Sequence, residues 1–409
     1  MHDPALGEPD RLDGLRPELE AVLAEGLGRL QGLGRGPADG SFSPEVPRAL
    51  AAAGLQRLVV PLGHGGLGAG LRETALVLAA LGALDGSAAL GLAMHCQIIG
   101  GALQASAGRW PLPLLRELLD GCATGGGWAG GAVAEERAGS AAVEERAGEP
   151  ERGARLDTTA VPAADGTYRL DGQKPWVTWL PSLHRLLVMA AVEQGTGLFL
   201  VDPTTPGVEI EGRFESLSLR GSGSGQLGLR DVAVPADRLV SCRPRGRPDP
   251  RGPAPQAWFG LVVAATYLGV GEGGRAAVAA FAGGRRPSDA PRGIGAIPSV
   301  AVRLGRLDAA LRVARLVVLE TARRWDATPA GDAAAREALL DDVALAKVTA
   351  TNAAVTATDE ALRVCGGPGL VEGPLERAFR DARAGLIHPP LDDICYQSFA
   401  RRLLGASEG

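Results

Sequence analysis

Apolar residues recur every three or four positions over most of the first 125 residues, the period of helices with one buried face. Leu19, Val22, Leu23, Leu27 and Leu30 share such a face. A long Ala/Leu-rich pattern runs from about Thr74 to Leu103, and a shorter helix ends near Leu119. Between them Val59-Val60-Pro61 leads into a Gly-rich bend at 63–68. From Trp128 to Leu239 the texture is that of strands. Segments 157–161 and 167–170 flank Asp165-Gly166, a hairpin turn, and 186–192, 198–201 and 226–234 are further strands. Trp176-Val177-Thr178-Trp179 reads as another, with both indoles on one side of the pleat. A Pro/Arg/Gly-rich linker at 241–256 precedes a second helical region. There Ile297, Val300, Leu304, Leu307, Leu311, Ala314 and Val318 form one seam. Leu339, Val343, Ala346, Ala350, Ala353, Ala357, Ala361 and Val364 form another. The fold class expected is therefore α+β multidomain. An N-terminal all-α domain (1–125) precedes a small antiparallel, barrel-like middle domain (126–240), and after the linker comes a C-terminal four-helix bundle (257–409).

Composition removes several function classes. The formal charge of -5 leaves no footprint for nucleic acid or an anionic membrane. Five scattered cysteines without a CxxC pair read as reduced thiols, and five histidines without an HxxxH pair give no metal site. His64 and His95 are expected to be structural. The N-terminus lacks a signal-peptide core, and charges or glycines interrupt every long apolar run. The expectation is a cytoplasmic, non-metallo protein without a membrane span. The excess of Arg over Lys with abundant Ala, Gly and Pro suggests a high-GC bacterial genome. Gly269-Val270-Gly271-Glu272-Gly273-Gly274 fits a dinucleotide-binding G-x-G-x-x-G, but no second strand follows it. A glycine-dotted helix packed closely against its neighbours accounts for it better. Glu135-Glu136-Arg137-Ala138-Gly139 recurs at 144–148, a local duplication in a loop with Ser140 between the copies.

Candidate chemistry centres on residues 170–179. An indole beside a hydroxyl can hold a flat heteroaromatic ring, one covering a face and the other answering a polar edge atom; two core tryptophans are the alternative. Three runs decide the matter together: Gly172-Gln173-Lys174-Pro175-Trp176-Val177-Thr178; Leu219-Arg220-Gly221-Ser222 with Asp231-Val232-Ala233-Val234-Pro235; and Cys365-Gly366-Gly367-Pro368-Gly369-Leu370 followed by Arg380-Asp381-Ala382-Arg383. In this order and spacing they resemble the acyl-CoA dehydrogenase family of flavoproteins over nearly the whole chain.

That resemblance implies FAD between the middle domain and the bundle, with Trp176, Val177 and Thr178 at its ring system. It implies Gly366 and Gly367 near the pyrophosphate of a neighbouring subunit's cofactor, Ser140 as a further contact, and a homodimer or homotetramer. The implied reaction is α,β-dehydrogenation of an acyl thioester, acyl-CoA or acyl-carrier protein, with a flavoprotein as possible electron acceptor. It needs a base opposite the flavin. Here the chain departs from the family. The usual glutamate position is Pro389, and the alternative position on the first bundle helix is Phe259. A threonine of the middle-domain loop is replaced by Ala134. The Arg and Gln that usually bind the adenosine end of the cofactor in the family have no clean counterpart around Arg292 and Pro298. His388 and Asp392 are the candidate substitute bases. Against these roles, His388 would cap a loop and Asp392 would N-cap the last helix. Three readings stand: a dehydrogenase with a relocated base, a flavin-dependent monooxygenase on the same fold, and a non-catalytic subunit of a heteromer.

Overall fold

The computed structural model describes residues 14–34, 41–105, 110–124, 126–134, 156–286 and 292–405. Five helices open the chain: α1 (Pro17–Gly32), α2 (Glu45–Ala53), α3 (Leu71–Leu84), α4 (Gly86–Leu103) and α5 (Leu112–Thr124). The expected long helix from Thr74 is in fact two. Asp85 leaves the helical region at φ -151° and its carboxylate accepts the Ser87 and Ala88 N–H groups, capping α4 as α3 ends. By length and composition α4 is apolar enough to cross a membrane, a property the sequence reading did not single out. In the fold 83% of it is buried, as the central core helix.

The middle of the chain is an eight-stranded sheet: β1 (Ala129–Ala132), β2 (Thr159–Pro162), β3 (Thr167–Val177), β4 (Arg185–Val192), β5 (Gly195–Val201), β6 (Val208–Arg213), β7 (Gly225–Pro235) and β8 (Leu239–Pro244). The order is β6-β7-β3-β2-β4-β5-β8, with β1 beside β4. Most pairs are antiparallel, but β1 and β2 each pair with β4 in parallel. β8 takes up residues expected to belong to the linker. The second helical region is α6 (Ala254–Gly284), α7 (Pro298–Ala327), the short α8 (Ala333–Ala338), α9 (Leu340–Cys365), α10 (Pro374–Ala384) and α11 (Asp392–Leu403).

Two long-range devices fasten these layers. Helix α3 begins after Gly70 without a side-chain cap of its own, and Asp326 of α7 fills that role, accepting the Leu71 and Arg72 N–H groups at 2.9 Å each. The glycine motif lies inside α6. A Cβ on Gly269 or Gly273 would stand 2.3 or 2.4 Å from a carbonyl oxygen of α3, at Ala79 and Ala83, so the glycines let two helices touch backbone to backbone.

The sheet is tied to the second helical region through Asp381 of α10, which is 3% exposed. Its Oδ1 accepts the Leu219 N–H at 2.7 Å, and Ser218 Oγ donates to the Arg380 carbonyl beside it. Burial pushes the Asp381 carboxyl up to about 7; the Leu219 N–H pulls the other way, and nearby Asp85 adds to the rise. A carboxyl raised in the folded state contributes its full stability below the unfolded value and loses it as pH climbs through the folded one. Asp381→Asn keeps an acceptor for Leu219 without the charge. Its stability in urea melts is therefore expected to gain on wild type as pH rises from about 4 to 8; parallel pH profiles would refute the buried-charge account. Asp381→Leu strands the Leu219 N–H and is expected to lose about 1–3 kcal/mol.

Candidate functional site

Strand β3 slips register against β7 between Lys174 and Val177. The backbone there turns into the left-handed region at Trp176 (φ 61°), the strand stops at Val177, and Trp179 is left-handed as well (φ 55°). The expected shared face is thereby overturned. Trp176 stays 55% exposed and Trp179 is 1% exposed, because the chain leaves the pleat before the second ring. Trp176 stacks one face on Phe214, with centroids 4.1 Å apart and 28° between planes. Trp179 packs over Gly91 of α4 and meets Trp128 edge-on at 4.8 Å. Of the four non-glycine residues with positive φ among those described, three (Trp176, Trp179 and Leu219) lie in this region, so backbone strain is concentrated here.

Beside Trp176 runs a row of hydroxyls. Thr178 Oγ1 lies 3.3 Å from Ser224 Oγ, and Ser224 Oγ lies 2.9 Å from Ser222 Oγ. The Trp179 N–H donates to the Ser222 carbonyl at 2.9 Å, fixing the row to the end of β3. Ser222 ends the short turn that begins after Leu219. The Leu219 side chain belongs to an apolar cluster with Leu90, Val263, Tyr267 and Val270, against which Phe259 also packs. The hydroxyl row and this cluster are thus the two sides of one turn.

Tyr267, fully buried in that cluster, hydrogen-bonds His388 Nδ1 at 2.5 Å. Burial raises the phenol well above its ordinary value, so Tyr267 is neutral. His388 as a residue is half-buried, yet its ring is desolvated and faces the Lys347 ammonium. Together these push its pKa down to about 4, against a weaker opposing contribution from the Ala384 backbone. Asp392, the other candidate, is fully engaged. It takes Lys347 Nζ at 3.2 Å on one oxygen and Asn352 Nδ2 at 2.6 Å on the other, and Lys347 is completely buried. The cap position of α11 is Leu391, so Asp392 does not serve as its N-cap. Pro389 sits between the two candidates.

The remaining expected positions are dispersed. Gly366 and Gly367 follow α9 in the open, where an added Cβ would meet nothing within 4 Å. Leu370 and Val371 beyond them are 70% and 67% exposed. Ser140 and the duplicated loop lie outside the described residues. His95 is structural: Nδ1 accepts the Ala129 N–H, Nε2 donates to the Gln56 carbonyl, and burial lowers its pKa to about 4. No group of three metal-binding side chains occurs among the described residues. The sequence reading missed Tyr267, Phe214, Ser224 and Lys347. Only Ser222, already inside a recognised run, carried any signal that this row exists.

Sequence profiles of the acyl-CoA dehydrogenase N-terminal and C-terminal domains match residues 34–108 and 261–392. YdbM of Bacillus subtilis (strain 168), which carries the acyl-CoA dehydrogenase name, is 31% identical over 364 residues, covering 88% of this chain and 90% of its own. The amino sugar nitrososynthase DnmZ of Streptomyces peucetius is 31% identical over 355 residues, covering 82% and 80%. FMN-bound TdsC from Paenibacillus sp. A11-2 superposes with a TM-score of 0.79 at 21% identity, over 96% of this chain and 98% of that one. The chain belongs to the acyl-CoA dehydrogenase family of flavin-dependent oxidoreductases.

Proposed function

We propose that this chain is an FAD-dependent dehydrogenase of an acyl thioester, acyl-CoA or acyl-carrier protein, in which His388 takes the α-proton. The observation that carries the reading is the Tyr267–His388 hydrogen bond beside the cluster that Leu219 enters, one turn from the Thr178–Ser224–Ser222 hydroxyls. The residues fit a flavin: an exposed indole face, a hydroxyl held among the described residues by a long 3.3 Å bond to Ser224, and an open glycine pair. When bound, FAD supplies the acceptor for the hydride leaving the β-carbon. Val177 holds the strand end against β7, and with a flavin bound Trp176 would cover its ring system while Thr178 Oγ1 would donate a hydrogen bond to it. The glycine pair would offer unobstructed backbone to the pyrophosphate of a second copy's cofactor, which makes a homo-oligomer part of the reading.

His388 can accept a proton only on a free ring nitrogen. If Nδ1–H donates to the Tyr267 oxygen, Nε2 keeps its lone pair. A pKa near 4 gives this imidazole about the basicity of an ordinary carboxylate, and leaves it neutral and ready through the physiological range. Asp392 is a positioning residue in this scheme. Protonating it would strand the buried Lys347 charge, whereas intact it anchors the segment that carries His388 to α9.

A second reading, oxygenation by reduced flavin, is favoured by Pro389, which has no proton-accepting group. Anaerobic mixing separates the two. The dehydrogenase bleaches its bound yellow flavin with an acyl thioester, whereas a monooxygenase consumes oxygen with reduced flavin and a substrate. A chain that does neither alone, but gains activity with a glutamate-bearing homologue, is the heteromer subunit.

His388→Gln is expected to slow bleaching by about 100-fold or more while flavin content is unchanged; unaltered bleaching excludes it as the base. In wild type the rate is expected to hold from about pH 8 down to 5 and to fall as His388 protonates near 4, since only the neutral ring accepts a proton. A limb centred near pH 6.5 would contradict the desolvated ring. Thr178→Val is expected to weaken flavin binding by about 1 kcal/mol, roughly five-fold in Kd, and to shift the visible absorption. An unchanged spectrum and Kd would place the ring elsewhere.

A further inference from the structure

Helices α1, α3, α6 and α7 surround a cavity of about 260 Å³. Its walls are apolar: Leu23 and Leu27 of α1 are buried on one side and Leu76 of α3 on the other. The gap between them stays open because the neighbouring wall positions are small, Ala24 and Gly28 on α1 and Ala80 and Ala83 on α3. Ala24 and Gly28 are exposed, so the cavity reaches the surface along α1. A single water needs about 10–15 Å³, and ordinary ligand sites begin near about 300 Å³. The space is thus that of a compact molecule. It shares no residue with the region around Trp176 and His388.

One end of the cavity is charged. Glu272 of α6 lines it and is 4% exposed, and its Oε1 accepts Arg315 Nη1 of α7 at 3.0 Å. Its Oε2 accepts no hydrogen bond among the described residues. Nor does Oε2 belong with the polar atoms sealed in without a partner, which among the described residues are Gln56 Oε1, Trp179 Nε1 and Arg336 Nη1; it therefore faces the open space. A carboxylate oxygen at that depth calls for a donor. Glu20 lines the same cavity from α1, so two carboxylates stand against one guanidinium and the lining favours a cation. An ammonium group on an apolar chain answers both features, with three donors on a compact charge and a body suited to the leucines.

We propose that this cavity binds a small organic ammonium ion, a primary amine on a short alkyl chain, whose nitrogen donates to Glu272 Oε2 while the chain lies against Leu23, Leu27 and Leu76. The proposal does not depend on the reaction catalysed. Calorimetric titration of the full-length protein with n-hexylamine, 1-hexanol and hexanoate at about pH 7 tests it. Hexylamine, protonated there, is expected to bind saturably at one site per chain and about ten-fold or more tighter than hexanol, since only the ammonium gains a charge-assisted bond. Absence of saturable amine binding, or equal binding of hexanol, overturns the proposal. Hexanoate binding as tightly as the amine would make Arg315 the recognising group and overturns it too. Glu272→Gln is expected to weaken hexylamine by about ten-fold or more. Ala24→Phe fills the cavity from an exposed position and is expected to abolish amine binding with unchanged circular dichroism. Amine binding retained in A24F places the site elsewhere and sinks the proposal, and this variant decides the matter even where Glu272→Gln fails to fold.

Discussion

The contact between the Asp381 carboxylate and the backbone N–H of Leu219 joins the two halves of the molecule. Leu219 sits in the left-handed region, where a branched side chain is strained, and a buried charge-accepting oxygen offsets that strain. With Leu219 fixed, its side chain enters the cluster around Tyr267, and the turn that follows delivers Ser222 to the end of β3. The exposed indole, the hydroxyl row and the His388–Tyr267 pair therefore share one reference point. Desolvation leaves that carboxyl near 7, and a neutral acceptor in its place would cost less to bury.

A second constraint acts on the segment between α10 and α11. It is held at His388 by the phenol of α6 and at Asp392 by the ammonium and amide of α9. The buried Lys347 does two things at once: it gives Asp392 a partner that fixes the start of α11, and its charge helps keep the neighbouring imidazole neutral. Pro389 lies between those two fixed points.

Much of the fold was legible because it follows from period. The inward seam of α7 and the Ala seam of α9 were read from three-and-four spacing; the first is buried from Leu307 to Val318, though Ile297 at its start is 43% exposed, and the second from Leu339 to Ala361. β2, β4, β5 and β7 were read from short apolar runs between turn residues. β1, β6 and β8 escaped, and the reason is physical. Ala-Gly-Gly-Ala has no side chains to alternate, Val208–Arg213 lies exposed along most of its length, and Leu239–Pro244 opens into the Pro/Arg-rich stretch. The break at Asp85 was hidden for a similar reason: apolar residues continue on both sides, and only the side-chain cap announces that the axis changes.

By itself the sequence determined the class, the family and the short motifs, since these depend on local spacing and on residues that stay within a few positions of one another. It also places a proline, a residue unable to take a proton, at position 389. Tertiary structure decided the partners. Tyr267 reaches His388 across 121 positions and Asp326 caps a helix 255 positions away. The two indoles of the central motif part because a register slip, set by β7, turns one backbone unit into the left-handed region. Such contacts are chosen by how separately stable elements fit when they meet, and no local pattern in the chain records which side chain will be waiting there.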